Sequence, residues 1–361
     1  MRSGLSVLVT PRDSVPYQEL LYRNVVKSNV RVQYADGLTP SQSLNVILSP
    51  LLLVWWRLRG YRILHIHWLF QFSLPWARRQ TWARRLMEFW FTFYIRLARL
   101  IGYDIVWTAH DLLPHEPVFA DDVRARATLL TNAALVIALS EATAGQLREI
   151  GADNVIVIPH GPYASPYPIT QSVDEARADL GFDSEDVVVT LIGKIEEYKG
   201  ADLLLRAAAR LPTSSRIKVV LVGACTDNSY RSELDRLARE AGSRVILLFE
   251  RIPEEDVARY IQASNFAVFP FREVTNSGSV ILAQSFGLPV MIADLPSLSD
   301  IPSASAIRFR NAVDSLVEAL LRAENLSESE YRSMANAGLV WATRIDWEEI
   351  AQATVKAYRR I

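Results

Sequence analysis

Two lysines five residues apart, Lys194 and Lys199, stand in the run Gly193-Lys194-Ile195-Glu196-Glu197-Tyr198-Lys199-Gly200 after a strand-like segment. A second run of small residues, Asn276-Ser277-Gly278-Ser279, stands directly before an apolar segment of helical character. The first run offers ammonium groups at the C-terminal edge of a sheet. The second offers backbone N–H groups at a helix N-terminus, where the helix dipole favours anions. Together they predict a diphosphate site that needs no metal. A tight turn with a solvated lysine would account for either segment alone, but less readily for the pair. No Walker-type or dinucleotide-binding glycine pattern claims the phosphate for a kinase, ATPase or dehydrogenase. A sugar nucleotide is the ligand class that remains.

All five histidines, His65, His67, His110, His115 and His160, fall in the first half of the chain or near its middle. In Leu64-His65-Ile66-His67-Trp68 the two imidazoles alternate with apolar residues, so one face of a strand end carries both. No cysteine pairs with them and no His-x-x-x-His helix is present, which argues against a structural zinc. Trp107-Thr108-Ala109-His110-Asp111-Leu112-Leu113-Pro114-His115-Glu116 delivers two imidazoles and two carboxylates into one loop at a strand end. That density suits a general base acting on a sugar hydroxyl; simple capping of the following turn by His110 and Asp111 is the alternative.

Residues 76–103, from Trp76 to Tyr103, carry Arg78, Arg79, Arg84, Arg85, Arg96 and Arg99 against the lone acid Glu88 before Asp104, with aromatic side chains between them. On a helix Trp82, Leu86, Phe89, Phe93, Leu97 and Leu100 form one stripe, and Arg78, Arg85, Thr92, Arg96 and Arg99 another. Packing on a core would explain the first stripe alone. The arginines and the extra aromatics suit the headgroup layer of an anionic membrane. Trp55, Trp56, Arg57, Arg59 and Arg62 form a second cluster of the same kind.

The elements that must position these groups alternate between strand and helix. Short β-rich runs at 5–9, 31–34, 63–66, 105–108, 135–138 and 155–158 are separated by segments of helical periodicity. After a stretch rich in Pro and Ser the pattern restarts at 187–192, 218–222, 244–249, 266–269 and 290–293. This predicts an α/β protein with two doubly wound parallel sheets, whose ligands lie at the carboxyl ends of strands. With 361 residues, half of them apolar, the chain can bury two cores. A net charge of −1 argues against a general nucleic-acid binder. The single cysteine, Cys225, excludes an intramolecular disulfide framework, and no signal-peptide pattern precedes the first strand. A cytoplasmic location is expected. The apolar stretch 44–56 is too short to span a bilayer, so membrane contact should be peripheral.

The order Gly193-Lys194-x4-Lys199-Gly200, Phe269-Pro270-Phe271-Arg272, Asn276-Ser277-Gly278-Ser279, Gly287-Leu288-Pro289-Val290 resembles the donor half of GT-B-fold glycosyltransferases. The early Val15-Pro16-Tyr17-Gln18-Glu19-Leu20-Leu21-Tyr22, His65-Ile66-His67-Trp68 and the loop from Thr108 to Glu116 resemble the acceptor half of a subgroup that includes the β-mannosyltransferases of bacterial exopolysaccharide assembly, xanthan type. The resemblance implies two Rossmann-like domains facing each other across a cleft. The N-terminal acceptor domain is 1–165, joined by a C-terminal helix at 345–361, and the nucleotide-sugar domain is 166–344. It implies that Lys194, Lys199, Ser277, Gly278 and Ser279 bind the donor diphosphate. His110 would face the transferred sugar, with Asp111, His115 or Glu116 as base, while Tyr17, Gln18, His67 and Trp68 line the acceptor side.

The departures bear on mechanism. Retaining relatives carry a pair of glutamates here, and matching from Gly287 puts Leu282 at the second position, where it cannot accept a hydroxyl proton. Glu273 lies one residue from the first, and with a one-residue loop shift the resemblance implies that it keeps part of that role. Lys194 replaces an arginine, retaining charge without bidentate geometry. No Asp-x-Asp triplet is present for a divalent ion. The expected activity is therefore a metal-independent, inverting transfer of a hexose, mannose from GDP-mannose, to a lipid-linked or glycan acceptor at the inner face of the plasma membrane. A retaining UDP-sugar transferase, a sugar-nucleotide 2-epimerase and a non-catalytic partner-binding relative are the alternatives.

Overall fold

The computed structural model describes residues 4–13, 16–35, 39 and 41–361, without the side chains of Gln42, Pro75 and Arg79. It divides into two compact units: Met1–His160 with Ile345–Ile361, and Gly161–Arg344.

The first unit is built on a six-stranded parallel sheet of order β2-β1-β3-β4-β5-β6. Its strands are β1 (Ser6–Thr10), β2 (Arg31–Tyr34), β3 (Ile63–Ile66), β4 (Asp104–Ala109), β5 (Ala133–Ala138) and β6 (Val155–Val157). Between them lie α1 (Pro16–Val25), α2 (Gln42–Leu58), α3 (Thr81–Leu100), α4 (Asp122–Asn132) and α5 (Glu141–Glu149). The central strands read as continuous apolar runs because helices cover both faces of a parallel sheet. β1 and β3 are buried along their whole length. That is why His65, paired in register with Val9 and Val106, is taken fully inside.

The second unit repeats the plan in the order β12-β11-β10-β7-β8-β9. Its elements are α6 (Val173–Asp179), β7 (Val187–Ile192), α7 (Ala201–Ala209), β8 (Ile217–Val222), α8 (Asn228–Ala241), β9 (Val245–Leu248) and α9 (Glu254–Ala263), followed by β10 (Phe266–Phe269), α10 (Gly278–Ser285), β11 (Val290–Ala293), β12 (Ala306–Phe309), α11 (Val313–Glu324) and α12 (Glu328–Ala342). One strand beyond the expected set appears, β12. Its four residues Ala-Ile-Arg-Phe follow a Pro-Ser-Ala-Ser stretch and lie at the sheet edge, with no alternation to mark them. The final helix, α13 (Trp347–Tyr358), belongs to the first unit and packs on α1. Asp346 caps it by accepting from the Glu349 N–H at 2.8 Å.

Helix α3 buries Ala83, Met87, Phe91, Tyr94, Ile95 and Ala98. The stripe of Trp82, Leu86, Phe89, Phe93 and Leu100 is exposed, at 60 % for Trp82, 68 % for Phe89 and 84 % for Leu100. The neighbouring α2 likewise exposes Leu44, Ile47, Leu51, Val54, Trp55 and Leu58. The two helices are tied by the Trp90 indole N–H, which donates to the Val46 carbonyl at 3.0 Å.

Candidate functional site

In the second unit both segments expected to bind phosphate follow carboxyl ends of adjacent strands, β7 and β10. Gly193 ends β7 at φ +108°, a conformation that side chains disfavour. A methyl group on it would sit 3.3 Å from Lys199 Nζ and 3.5 Å from Ser279 Oγ. The two segments therefore converge on one small space, which glycine leaves open. Lys199 is buried at the end of a 3₁₀ turn, Glu197–Lys199, that closes with Gly200 at φ +69°. There any Cβ would strike the Pro270 carbonyl oxygen at 2.1 Å, so the close approach of α7 to the β10 loop requires glycine. Burial lowers the Lys199 ammonium to about 8, with Glu196 opposing that shift and Lys194 adding to it.

Helix α10 starts at the same place. Ser277 caps it, its Oγ accepting from the Val280 N–H, which leaves its own hydrogen to donate. Among the described residues no protein group accepts from the backbone N–H of Gly278 or Ser279. Lys194 instead turns outward onto Glu196, close enough to Lys199 to repel its charge. Glu273 is exposed on the loop before α10, and Leu282 packs against the core of the unit. Arg272 does not join the anion site: it donates to both oxygens of Asp202, and its N–H donates to the Tyr198 carbonyl at 2.7 Å. Asp202 carries no phosphate-binding signature, so its role in anchoring this loop was not legible from sequence.

In the first unit the carboxyl ends of β3 and β4 assemble the imidazoles. His67 Nδ1 and His110 Nε2 are 3.1 Å apart, and His67 Nε2 lies 2.7 Å from the Tyr22 hydroxyl. Tyr22 also reaches His65 Nδ1 at 2.8 Å, Tyr358 reaches the same nitrogen at 2.6 Å, and Thr108 Oγ1 meets His65 Nε2 at 2.8 Å. Burial lowers His65 to about 3; His67 and His110 also lie well below the ordinary imidazole value, first from burial and then from mutual repulsion among the histidines. All three rings are neutral at pH 7. Of the three, only His110 is not fully buried, and Trp68 stacks on it at 4.3 Å.

Of the residues expected on the acceptor side, Tyr17, Gln18 and His67 are buried. Tyr17 packs edge-on against His67, His110, His160 and Trp347. Gln18 accepts from the Asp13 N–H at 3.0 Å and donates to the Pro11 carbonyl at 2.7 Å, holding the loop after β1. Trp68 alone of the four reaches solvent, half-buried. Asp111 is half-buried beside His110, while His115 and Glu116 are exposed further along the loop. Tyr358, brought to this cluster from the far end of the chain, has no local sequence signal that points to it.

Residues 172–340 match the family described as Glycosyl transferases group 1. The D-inositol 3-phosphate glycosyltransferase of Corynebacterium aurimucosum is 26% identical over 318 residues, covering 82% of this chain and 71% of that protein. Sucrose-phosphate synthase from Thermosynechococcus elongatus superposes with a TM-score of 0.75 at 19% identity, covering 99% of both chains. Anabaena HepE in complex with UDP-glucose gives a TM-score of 0.75 at 17% identity over 99% of this chain and 100% of that one. The printed names of these relatives support the glycosyltransferase resemblance and do not specify the β-mannosyltransferase subgroup. Two doubly wound parallel sheets give the chain the GT-B fold of these solved structures, and within it residues 172–340 match Glycosyl transferases group 1.

Proposed function

We propose that the protein moves a hexose from a nucleoside-diphosphate sugar, GDP-mannose in the first instance, to a hydroxyl of a lipid-linked or glycan acceptor, with inversion and without a metal. The observation that carries this reading is the cradle of Lys199 Nζ, Ser279 Oγ and the α10 N–H groups around the space that Gly193 leaves open. Those donors can offset charge growing on the departing diphosphate. Among the described residues no group of three or more His, Cys, Asp or Glu side chains could hold a metal ion. Lys194 is the second cation within reach of the diphosphate, once released from Glu196.

In the proposed step the acceptor oxygen bonds to the anomeric carbon as the bond from that carbon to the diphosphate oxygen breaks. The acceptor proton passes to Asp111, His115 or Glu116. Neutral His110 is a poor base, because its affinity for a proton is held down by burial; it hydrogen-bonds a sugar hydroxyl instead. Leu282, packed on the core where a retaining enzyme would present a glutamate, favours inversion.

The exposed apolar faces of α2 and α3 are the proposed contact with an anionic membrane surface. Arg59, Arg62, Arg85 and Arg96 stand exposed on or beside those faces, and their charge complements anionic headgroups. No helix among the described residues is long and apolar enough to cross a membrane. A peripheral position at the inner face of the plasma membrane is the proposed setting.

A UDP-linked donor is the second reading, favoured by the similarity to HepE, whose complex holds UDP-glucose. Calorimetric titration with GDP-mannose and UDP-glucose, followed by mass spectrometry of incubations with lipid-linked glycans and with D-inositol 3-phosphate, tests both. Binding of either nucleotide sugar that is abolished in Lys199→Met supports the cradle. Release of an epimerised nucleotide sugar with no acceptor consumed would overturn transfer.

A further inference from the structure

The loop 110–121, between β4 and α4, carries Asp111, His115 and Glu116, and one face of α4 grips it on both sides of its exposed part. Arg126 donates a guanidinium N–H to the Leu112 carbonyl at 3.3 Å, directly after Asp111. Asp122, one helical turn before Arg126, accepts from the N–H of Phe119 at 2.8 Å and of Val118 at 3.2 Å. Val118 and Phe119 are themselves buried, the Phe119 ring packing on Phe70 and on Phe91 of α3. Residues 113–117 lie between the two grips, and His115 and Glu116 stand exposed among them. Helix α4 is in turn seated by α3. Glu88, the one charged side chain among those that α3 buries, accepts from the Asp121 N–H at 3.0 Å and from the Arg124 guanidinium. Arg84 stands one turn before it: burial raises the Asp122 carboxyl, and the bonds from Phe119 and Val118 and the Arg84 charge oppose that rise. A buried carboxylate adds little net stability over an apolar side chain of its size, but any other seating of α4 would leave it unpaired.

We propose that Arg126, Asp122 and Glu88 are positioning residues that set where this loop stands, and with it the group that takes the acceptor proton. The inference rests on the function proposed above, which puts the base in this loop. Arg126 fixes the backbone next to Asp111, Asp122 fixes the return of the chain after Glu116, and Glu88 fixes the helix that supplies both. Misplacing a reacting group by about 1 Å costs about a hundredfold in rate. A loop anchored on one side alone would therefore slow transfer while leaving the nucleotide-sugar cradle, in the second unit, untouched.

Amide hydrogen exchange on the full chain, without substrate, should find the Val118, Phe119 and Asp121 N–H groups protected. Exchange of all three at the rate of an unfolded chain overturns the proposal whether or not any variant folds. In Arg126→Met and Glu88→Ala, kcat for transfer should fall by about tenfold to a hundredfold, and exchange across residues 112–121 should quicken. KM for the nucleotide sugar, and its affinity by calorimetry, should stay at the parental values. Arg126→Lys keeps a donor for the Leu112 carbonyl and Glu88→Gln keeps an acceptor for the Asp121 N–H, so each should recover most of the loss. A folded Arg126→Met with the parental kcat overturns the proposal. So does a loss of nucleotide-sugar affinity that matches the loss in kcat/KM, which would mark a general loosening of the fold. A parent chain with these amides protected that transfers no sugar would sink the proposed function and leave the anchoring of the loop standing.

Discussion

The Asp202 carboxylate, in the first turn of α7, receives one guanidinium nitrogen of Arg272 on both its oxygens, at 2.9 and 2.8 Å. Arg272 follows β10, so this pair ties the loop that leads into α10 to the helix that follows Lys199. Tyr230 donates to the same carboxylate from α8 at 3.1 Å. Asp202→Asn should therefore loosen the cradle. Since the guanidinium is partly exposed, the loss in stability should be about 1 kcal/mol, read as a lower urea midpoint, together with weaker binding of nucleoside diphosphate. An unchanged affinity would show that the loop is held by other contacts.

Gly193→Ala places a methyl group where the two segments meet, at a backbone angle that side chains disfavour. Nucleoside diphosphate affinity should fall by at least about tenfold, through displacement of Lys199 or Ser279 by a few tenths of an ångström and through strain of about 1–3 kcal/mol. Calorimetry on a folded variant decides this; parental affinity would mean that the diphosphate does not use this space.

Lys199 gives donor binding a pH signature. Its ammonium, lowered to about 8, is largely charged at pH 7. Binding of a diphosphate favours the charged form, so affinity should be level below pH 8 and decline as pH rises above it. Lys199→Met should remove both the decline and about 2–4 kcal/mol of transition-state binding. A level affinity up to pH 9.5 in the parent would remove Lys199 from the site.

The buried imidazoles predict lability in acid. A histidine that is neutral in the fold, with His65 at about 3 against 6.5 when unfolded, binds fewer protons folded than unfolded between those values. Its contribution is complete above pH 6.5 and is lost as pH falls toward 3, at about 1.4 kcal/mol per pH unit once well below 6.5. Urea midpoints measured between pH 7 and pH 4 should fall steeply, and a flat profile would contradict neutral, buried rings.

Membrane contact is tested on vesicles of phosphatidylglycerol and phosphatidylcholine. Co-sedimentation should require the anionic lipid, weaken with salt, and drop in Arg85→Ser combined with Arg96→Ser by about 1 kcal/mol per charge removed. Phe89→Ser should weaken it through lost apolar burial. Arg79 was part of the expected basic set, but its side chain lies outside the described residues. Binding that is equal on neutral vesicles, or untouched by these changes, rejects the anionic surface.

The sequence by itself determined the two doubly wound sheets, because strand and helix periodicities are local and a parallel sheet covered on both faces leaves apolar runs that are hard to mistake. It also pointed to the two segments after β7 and β10, whose glycines and small residues allow the close backbone approach seen at Gly193 and Gly200. Only the tertiary structure decided that the stripe of Trp82, Leu86, Phe89 and Phe93 on α3 stays exposed while Ala83, Met87, Phe91 and Ala98 are buried, because which face of a helix meets the core is set by its neighbours in space. The same holds for the depth at which Gln18 and His67 lie, which packing sets by burying both inside the first unit. Tyr358 joined His65 across nearly the full length of the chain, a contact made by packing α13 on α1, and no local pattern of residues encodes a partner that distant.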